Sequence, residues 1–176
     1  MDNSFGKNII PENERARIDV LSNHNLLEKV PQGYFNNLAQ IVAKTFDMPI
    51  ALVSLVKSEE VEFIGNKGME GTKSAPRGVS LCSLAVLGDQ PIVFPDALEG
   101  PCLLANPLVR GEFGLRFYAG APIISPTGES IGTVCVVDKG TRDFSEEDIR
   151  MLQYFANVAM NEIIARVQTL KGTPGG

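Results

Sequence analysis

Between Leu115 and Asp138 two apolar runs, Phe117 to Ile124 and Ser130 to Val137, are separated by Ser125, Pro126, Thr127 and Gly128. The runs are rich in aromatic and β-branched residues, and the short polar segment between them has the Pro and Gly a hairpin turn needs, so the pattern predicts a β-hairpin. Neither run alternates cleanly. Val134, Cys135, Val136 and Val137 are apolar in succession, so both faces of that strand must be shielded from water. A sheet buried on both sides requires two cover layers, and the rest of the chain has to supply them.

One layer is helical. Ser145 is placed as an N-cap with Asp148 as the capping-box acid, and Phe144 and Ile149 form a hydrophobic staple pair. Ile149, Leu152, Phe155, Ala156, Ala159, Ile163 and Val167 then follow at helical spacing, flanked by a second stripe of Met151, Tyr154 and Val158. That is more apolar surface than one sheet face consumes, and the surplus suits an N-terminal helix or a second copy of the chain. After Pro31 and Gly33, the residues Phe35, Leu38, Ala39, Val42 and Phe46 predict another amphipathic helix, ended by Met48 and Pro49. An earlier helical stretch opens at Pro11 to Glu14 with a thin apolar stripe at Ile18, Leu21 and Leu26.

Ile50 to Val56 reads as a buried strand and Val61 to Ile64 as its shorter return. The Gly-, Lys- and Ser-rich segment Asn66 to Val79 reads as a long loop, followed by a short helix capped by Ser80 and a short strand at Pro91 to Phe94. Leu98 to Gly114 is a second irregular stretch, whose Leu103, Leu104, Leu108 and Val109 need something to pack on. These segments are the natural second cover. A cover of loops packs less regularly than a long helix and leaves room for a small-molecule cavity.

The 176 residues suit a single domain, with 44% hydrophobic residues for a core and 21% charged residues for solubility. No apolar stretch is long enough for a bilayer and Met1 to Lys7 form no signal-peptide core, so a cytoplasmic protein is expected. A net charge of -5 with no basic run gives no footprint for nucleic acid or anionic membrane. Cys82, Cys102 and Cys135 lie far apart without metal-ligand spacing, and there is one histidine, His24, so neither a metal nor a cofactor is expected. The isolated position of His24 also disfavours serine-hydrolase chemistry, since no Ser motif lies near it.

Several local motifs then carry a resemblance. Met48 to Val56, the segment Ser80-Leu81-Cys82-Ser83, Asn106 to Val109, Arg116 to Pro122, Gly128, and Ile131 to Asp138 together are similar to a bacterial branch of the GAF domain family. The likeness covers roughly residues 12 to 167. It implies an α+β fold in which a central antiparallel sheet carries N- and C-terminal helices on one face, and loops plus a short helix form a pocket on the other. The residues themselves read as a flexible N-terminal tail at 1–10 and a flexible C-terminal tail at 171–176, which leaves the GAF-like domain at 11–170. The implied function is small-molecule sensing in signal transduction, without catalysis. Because no output domain fits within this length, a separate signalling partner is expected in trans, with homodimerisation through the terminal helices. Two alternatives are a thiol-dependent enzyme of the free methionine sulfoxide reductase type, with Cys82 and Cys102 near where its thiols would be, and a dimerisation scaffold with a vestigial pocket. Bilin attachment is disfavoured because no cysteine is followed by histidine.

Candidate ligand-binding residues are Cys82, Asp96, Leu104, Arg116, Tyr118 and Cys135. Each has a structural alternative. Arg116 suits an anionic ligand group or a loop tie to Asp96, Tyr118 a ligand hydrogen bond or the core, and Asp96 and Asp138 the turns after strands. Cys82 and Cys135 also read as small core residues, and Cys102 as the cysteine best placed for exposure.

Overall fold

The computed structural model describes residues 1–23 and 33–172, with side chains described as far as residue 166. His24, Leu26, Pro31 and the Val167 side chain lie outside the described residues. The chain runs α1 (Glu14–Asn23), α2 (Gly33–Phe46), β1 (Ile50–Val56), β2 (Glu60–Lys67), β3 (Ser74–Pro76), α3 (Cys82–Ala85), β4 (Ile92–Phe94), α4 (Pro107–Arg110), β5 (Phe117–Ile124), β6 (Ser130–Asp138) and α5 (Glu146–Gly172). Two short 3-10 turns, Ala97–Glu99 and Pro101–Leu103, precede α4.

The strands form a six-stranded sheet in the order β3-β2-β1-β6-β5-β4. Every pairing is antiparallel. The predicted hairpin is β5–β6, and its turn closes at Gly128, whose φ of 97 lies in the region glycine tolerates without strain. It does not end the sheet: β6 also pairs with β1, with Leu52 opposite Cys135. The run of consecutive apolar residues in β6 thus lies in the middle of the sheet.

On one face α2 and α5 cover the sheet. Phe35, Leu38, Ala39 and Val42 of α2 and Leu152, Ala156, Ala159 and Ile163 of α5 pack with Val53, Phe117, Ala119, Ala121, Val134 and Val136 of the strands. The capping box is formed, with the Asp148 N–H donating to Ser145 Oγ at 3.1 Å and the Ser145 N–H donating to Asp148 Oδ2 at 3.0 Å. Phe144 stacks at 5.3 Å on Phe46 and at 5.5 Å on Phe117, fixing the angle at which α5 enters.

The other face is covered by connecting segments. Leu81, Cys82, Leu84, Leu103, Val109 and Leu115 pack on Ile50, Leu52, Phe63, Tyr118, Cys135 and Val137. Phe5 and Ile9 join this cluster at 3% and 0% exposure, so the first ten residues, expected as a loose tail, include part of the cover. Met1, Phe5, Ile9 and Ile10 are too few and too unevenly spaced among polar residues to mark a helix or strand, so the burial of Phe5 and Ile9 was not legible in the sequence.

Three other expectations shift. The return strand runs to Lys67 rather than Ile64, and the predicted loop contains the edge strand β3, which pairs Glu60 with Pro76 and Glu62 with Ser74. An edge strand held through its backbone needs no apolar pattern. The short helix spans only Cys82–Ala85, with Ser80 Oγ accepting the Cys82 N–H at 3.3 Å.

The stripe of α1 also omits its main anchor. Arg17, fully buried, donates to the Val56 and Ser130 carbonyls at 3.0 and 3.2 Å. Buried Arg77 donates to both Glu14 carboxylate oxygens, at 2.5 and 2.9 Å. Burial pushes the Glu14 carboxyl up, but hydrogen bonds from Arg77 and Arg17 and their charges outweigh that and hold it below the ordinary value. Glu14 thus ties α1 to the segment that leads into the loop cover.

Candidate functional site

A cavity of about 190 Å³ lies between the sheet and its loop cover. Its floor is Leu52, Phe63, Tyr118, Cys135 and Val137 from four strands. Leu81 and Cys82 form one wall, and Met69, Leu108, Phe113 and Leu115 the others. Thr72, Ser74 and Pro76, which are exposed, mark its mouth. Among the described residues that line it none is charged; the polar groups are hydroxyls and thiols. Two larger depressions, one beside Glu12 and Asp89 and one beside Met1 and Glu59, are bordered largely by exposed residues on the surface.

The polar centre of the cavity is a triad of side chains from β5, β6 and α3. The Tyr118 hydroxyl donates to Cys82 Sγ at 3.4 Å, and Cys82 Sγ lies 4.0 Å from Cys135 Sγ. Tyr118 can lie flat along its strand only because residue 120 is glycine: a Cβ there would sit 2.6 Å from the tyrosine hydroxyl. The hydrogen bond with Cys135 draws the Cys82 thiol down to about 6 against burial that pushes it up, with Ser54, Tyr118 and Ser80 adding to the lowering. The same hydrogen bond with Cys82 and then burial push Cys135 well above the ordinary thiol value. Burial, followed by the two neighbouring thiols, does the same to the Tyr118 phenol.

Of the six candidate residues, Cys82, Tyr118 and Cys135 come together here, while Asp96, Leu104 and Arg116 lie outside the lining. Asp96 instead accepts the Leu98 N–H at 3.0 Å and opens a 3-10 turn, as a turn aspartate does. Leu104 is 61% exposed, because Leu103 beside it takes the inward position. The Arg116 guanidinium donates to the Val109 and Leu115 carbonyls at 2.8 and 2.9 Å, so it braces the loop rather than facing the cavity. Cys102 is half-buried against the same cluster but is outside the lining.

The sequence reading missed the residue that latches the cover. Buried Asn106 donates to the Val79 carbonyl at 2.8 Å and to Ser4 Oγ at 2.9 Å, and its Oδ1 accepts the Leu108 N–H at 3.0 Å. One side chain thus joins the N-terminal segment, the loop before α3 and the start of α4. The Asn-Pro pair was the available signal, an N-cap followed by proline at the first helical position.

The GAF domain family model matches residues 31–163. The chain belongs to the GAF domain family. Over 164 residues it is 34% identical to a protein of Pseudomonas aeruginosa named a cyclic di-GMP phosphodiesterase, covering 93% of this chain and 27% of that protein. The chain therefore spans about a quarter of that relative's length. Among solved structures, this GAF domain is similar to a free methionine-R-sulfoxide reductase from Neisseria meningitidis, at 19% identity and a TM-score of 0.65 over 95% of this chain and 98% of that one. It is similar also to the GAF domain of an Acinetobacter phosphoenolpyruvate-protein phosphotransferase, at 15% identity and a TM-score of 0.65 over 90% and 96% of the two chains. At such identities the likeness concerns the fold alone. As a GAF domain the chain has a sensory and regulatory fold, and among the described residues no helix is long and apolar enough to cross a membrane.

Proposed function

We propose that this GAF domain is a non-enzymatic sensory module, which takes a small, uncharged, largely apolar molecule into the loop-face cavity and acts on a signalling partner in trans. The observation that carries this reading is the cavity lining: about 190 Å³ of space with no charge among its described residues. Charge brought there would lose its hydration without gaining a counter-ion. The volume is below the roughly 300 Å³ of ordinary drug-sized pockets, which suits a ligand of one or two rings. Similarity to a protein named a cyclic di-GMP phosphodiesterase fits a place in signalling.

Transmission follows from strand alternation. Leu52, Cys135 and Val137 face the cavity, while Val53, Val134 and Val136 on the same strands pack under α2 and α5. A ligand that orders the loop cover and shifts the strands would therefore bias the helix packing. On the outside of those helices Tyr34, Ile41, Met151 and Tyr154 are exposed at 37%, 54%, 42% and 60%, and this is the surface we assign to homodimerisation. Val158, from the same stripe, is half-buried against the core, so Tyr154→Glu with Ile41→Glu is the cleaner disruption. Light scattering should then show a folded monomer, and an unmodified chain monomeric at high concentration would refute the assignment.

The reductase reading requires a zwitterionic amino acid in that uncharged lining and Cys102 beside Cys82, whereas the sulfur next to Cys82 is that of Cys135. Native mass spectrometry of protein purified gently from its own host tests the sensory reading. A bound neutral molecule, displaced when Leu108→Trp fills the cavity, is the expected result. Thiol-dependent turnover of free methionine sulfoxide by the unmodified chain would overturn it.

A further inference from the structure

The thiols of Cys82 in the cavity wall and Cys135 on its floor have no part in the sensory reading. Cys82 and Cys135 sit 53 residues apart in sequence, yet their sulfurs are 4.0 Å apart and both line the cavity. We propose that they form a redox-active dithiol site, which a small uncharged hydroperoxide oxidises to an intramolecular disulfide linking α3 to β6.

Geometry supplies the closing step. Disulfide formation requires the sulfurs to approach by roughly 2 Å, to a bond of about 2.05 Å. Cys135 is held in the middle of the sheet, paired with Leu52 on one side and Gly120 on the other. Cys82, by contrast, begins a four-residue helix outside the sheet, where its N–H is held by Ser80 Oγ at 3.3 Å. Lying outside the strand pairings that fix Cys135, Cys82 is the partner that shifts to close the gap.

The surroundings select the oxidant. An uncharged lining with exposed residues at the mouth admits hydrogen peroxide or a small alkyl hydroperoxide and disfavours charged thiols such as glutathione. Cys82 is the nucleophile because its sulfur accepts the Tyr118 O–H at 3.4 Å, which favours the thiolate, and that hydroxyl is also a donor for the oxygen that leaves. In the first step the Cys82 thiolate attacks one peroxide oxygen and the O–O bond breaks. The departing oxygen takes up the proton that Cys82 lost and leaves as water or alcohol, with Cys82 as a sulfenic acid. Cys135 sulfur then attacks Cys82 sulfur, its proton joins the expelled hydroxide as water, and the disulfide is complete. In sum, two thiols lose two electrons and two protons to one hydroperoxide. Cys102, outside the lining, takes no part.

The full chain treated with stoichiometric hydrogen peroxide or cumene hydroperoxide, then denatured, alkylated and mapped by mass spectrometry, tests this. The expected product has lost two hydrogens, carries a Cys82–Cys135 linkage with Cys102 alkylated, and is restored by dithiothreitol. Tyr118→Phe should slow formation several-fold while reaching the same end point, which a purely structural tyrosine would not do. Cys135→Ser should stop at a dimedone-trapped Cys82 sulfenic acid. If that variant does not fold, the mapping of the unmodified chain decides alone. Oxidation at Cys102 only, a Cys82–Cys102 linkage, or unchanged thiols would each overturn the proposal.

Discussion

The two faces of the sheet are built from the same strands and nearly the same residue types, yet they hold different interiors. Under α2 and α5 the side chains interdigitate as a continuous core, with Ala39, Ala119, Ala156 and Ala159 letting the helices sit close. Under the loops a comparable number of apolar residues surrounds a cavity of about 190 Å³ with thiols and a phenol at its centre. Helices present side chains at a fixed spacing that can be matched to a sheet. The loop cover is positioned by single polar latches, Asn106 above all, and fills space less completely. Close packing is therefore concentrated on one face and open space on the other.

The largest effect that would break this contrast is a deletion in the helical layer. Phe117→Ala should cost about 3–5 kcal/mol, because the fully buried ring packs on Phe144 and a closed core cannot collapse around the gap. Leu108→Ala, at the half-buried wall of the cavity, should cost only about 1 kcal/mol. Denaturant midpoints check both, and equal losses would show that the two faces are packed alike.

A second, smaller effect concerns pH. Glu14 is held below the ordinary carboxylate value, so its native state binds the proton less tightly than the unfolded chain does. Its stabilisation is therefore present above the ordinary glutamate value and lost as pH falls from there through the depressed one. The thermal midpoint should fall over that window, and Glu14→Gln should flatten this part of the profile. An unchanged profile in the variant would mean that the Arg17–Glu14–Arg77 tie does not contribute.

The smallest is the cap. Ser145→Ala should cost about 1 kcal/mol, since it removes the acceptor of the Asp148 N–H. A midpoint that does not move would show that α5 starts without its cap.

How much of this was legible in the sequence follows the same division. Ile50–Val56 and Phe117–Ile124 were readable to the residue, because consecutive β-branched and apolar residues leave few alternatives, and the capping box marked the start of α5. In the site, Cys82, Tyr118 and Cys135 were picked out through the family likeness, but their convergence was not readable, since α3 meets β6 only through the folded loops. Which way Arg116 and Asp96 point was not readable, because a charged residue near a strand end suits a pocket or a turn alike; here they take their structural alternatives, a loop brace and a turn. The burial of Arg17 and Arg77 was invisible for a related reason: Arg77 meets Glu14 across 63 residues, and a helical arginine normally signals an exposed face.

An accessible cavity lies on the loop face, whereas the described side chains under the helices pack as one continuous core. Crystals of the chain pressurised with xenon test this most directly, because xenon enters apolar cavities without needing a specific hydrogen bond. The account predicts a xenon site bounded by Leu52, Leu81, Phe113 and Tyr118, and none between the sheet and α2 or α5. Xenon under the helices, or none beneath the loops, would contradict it.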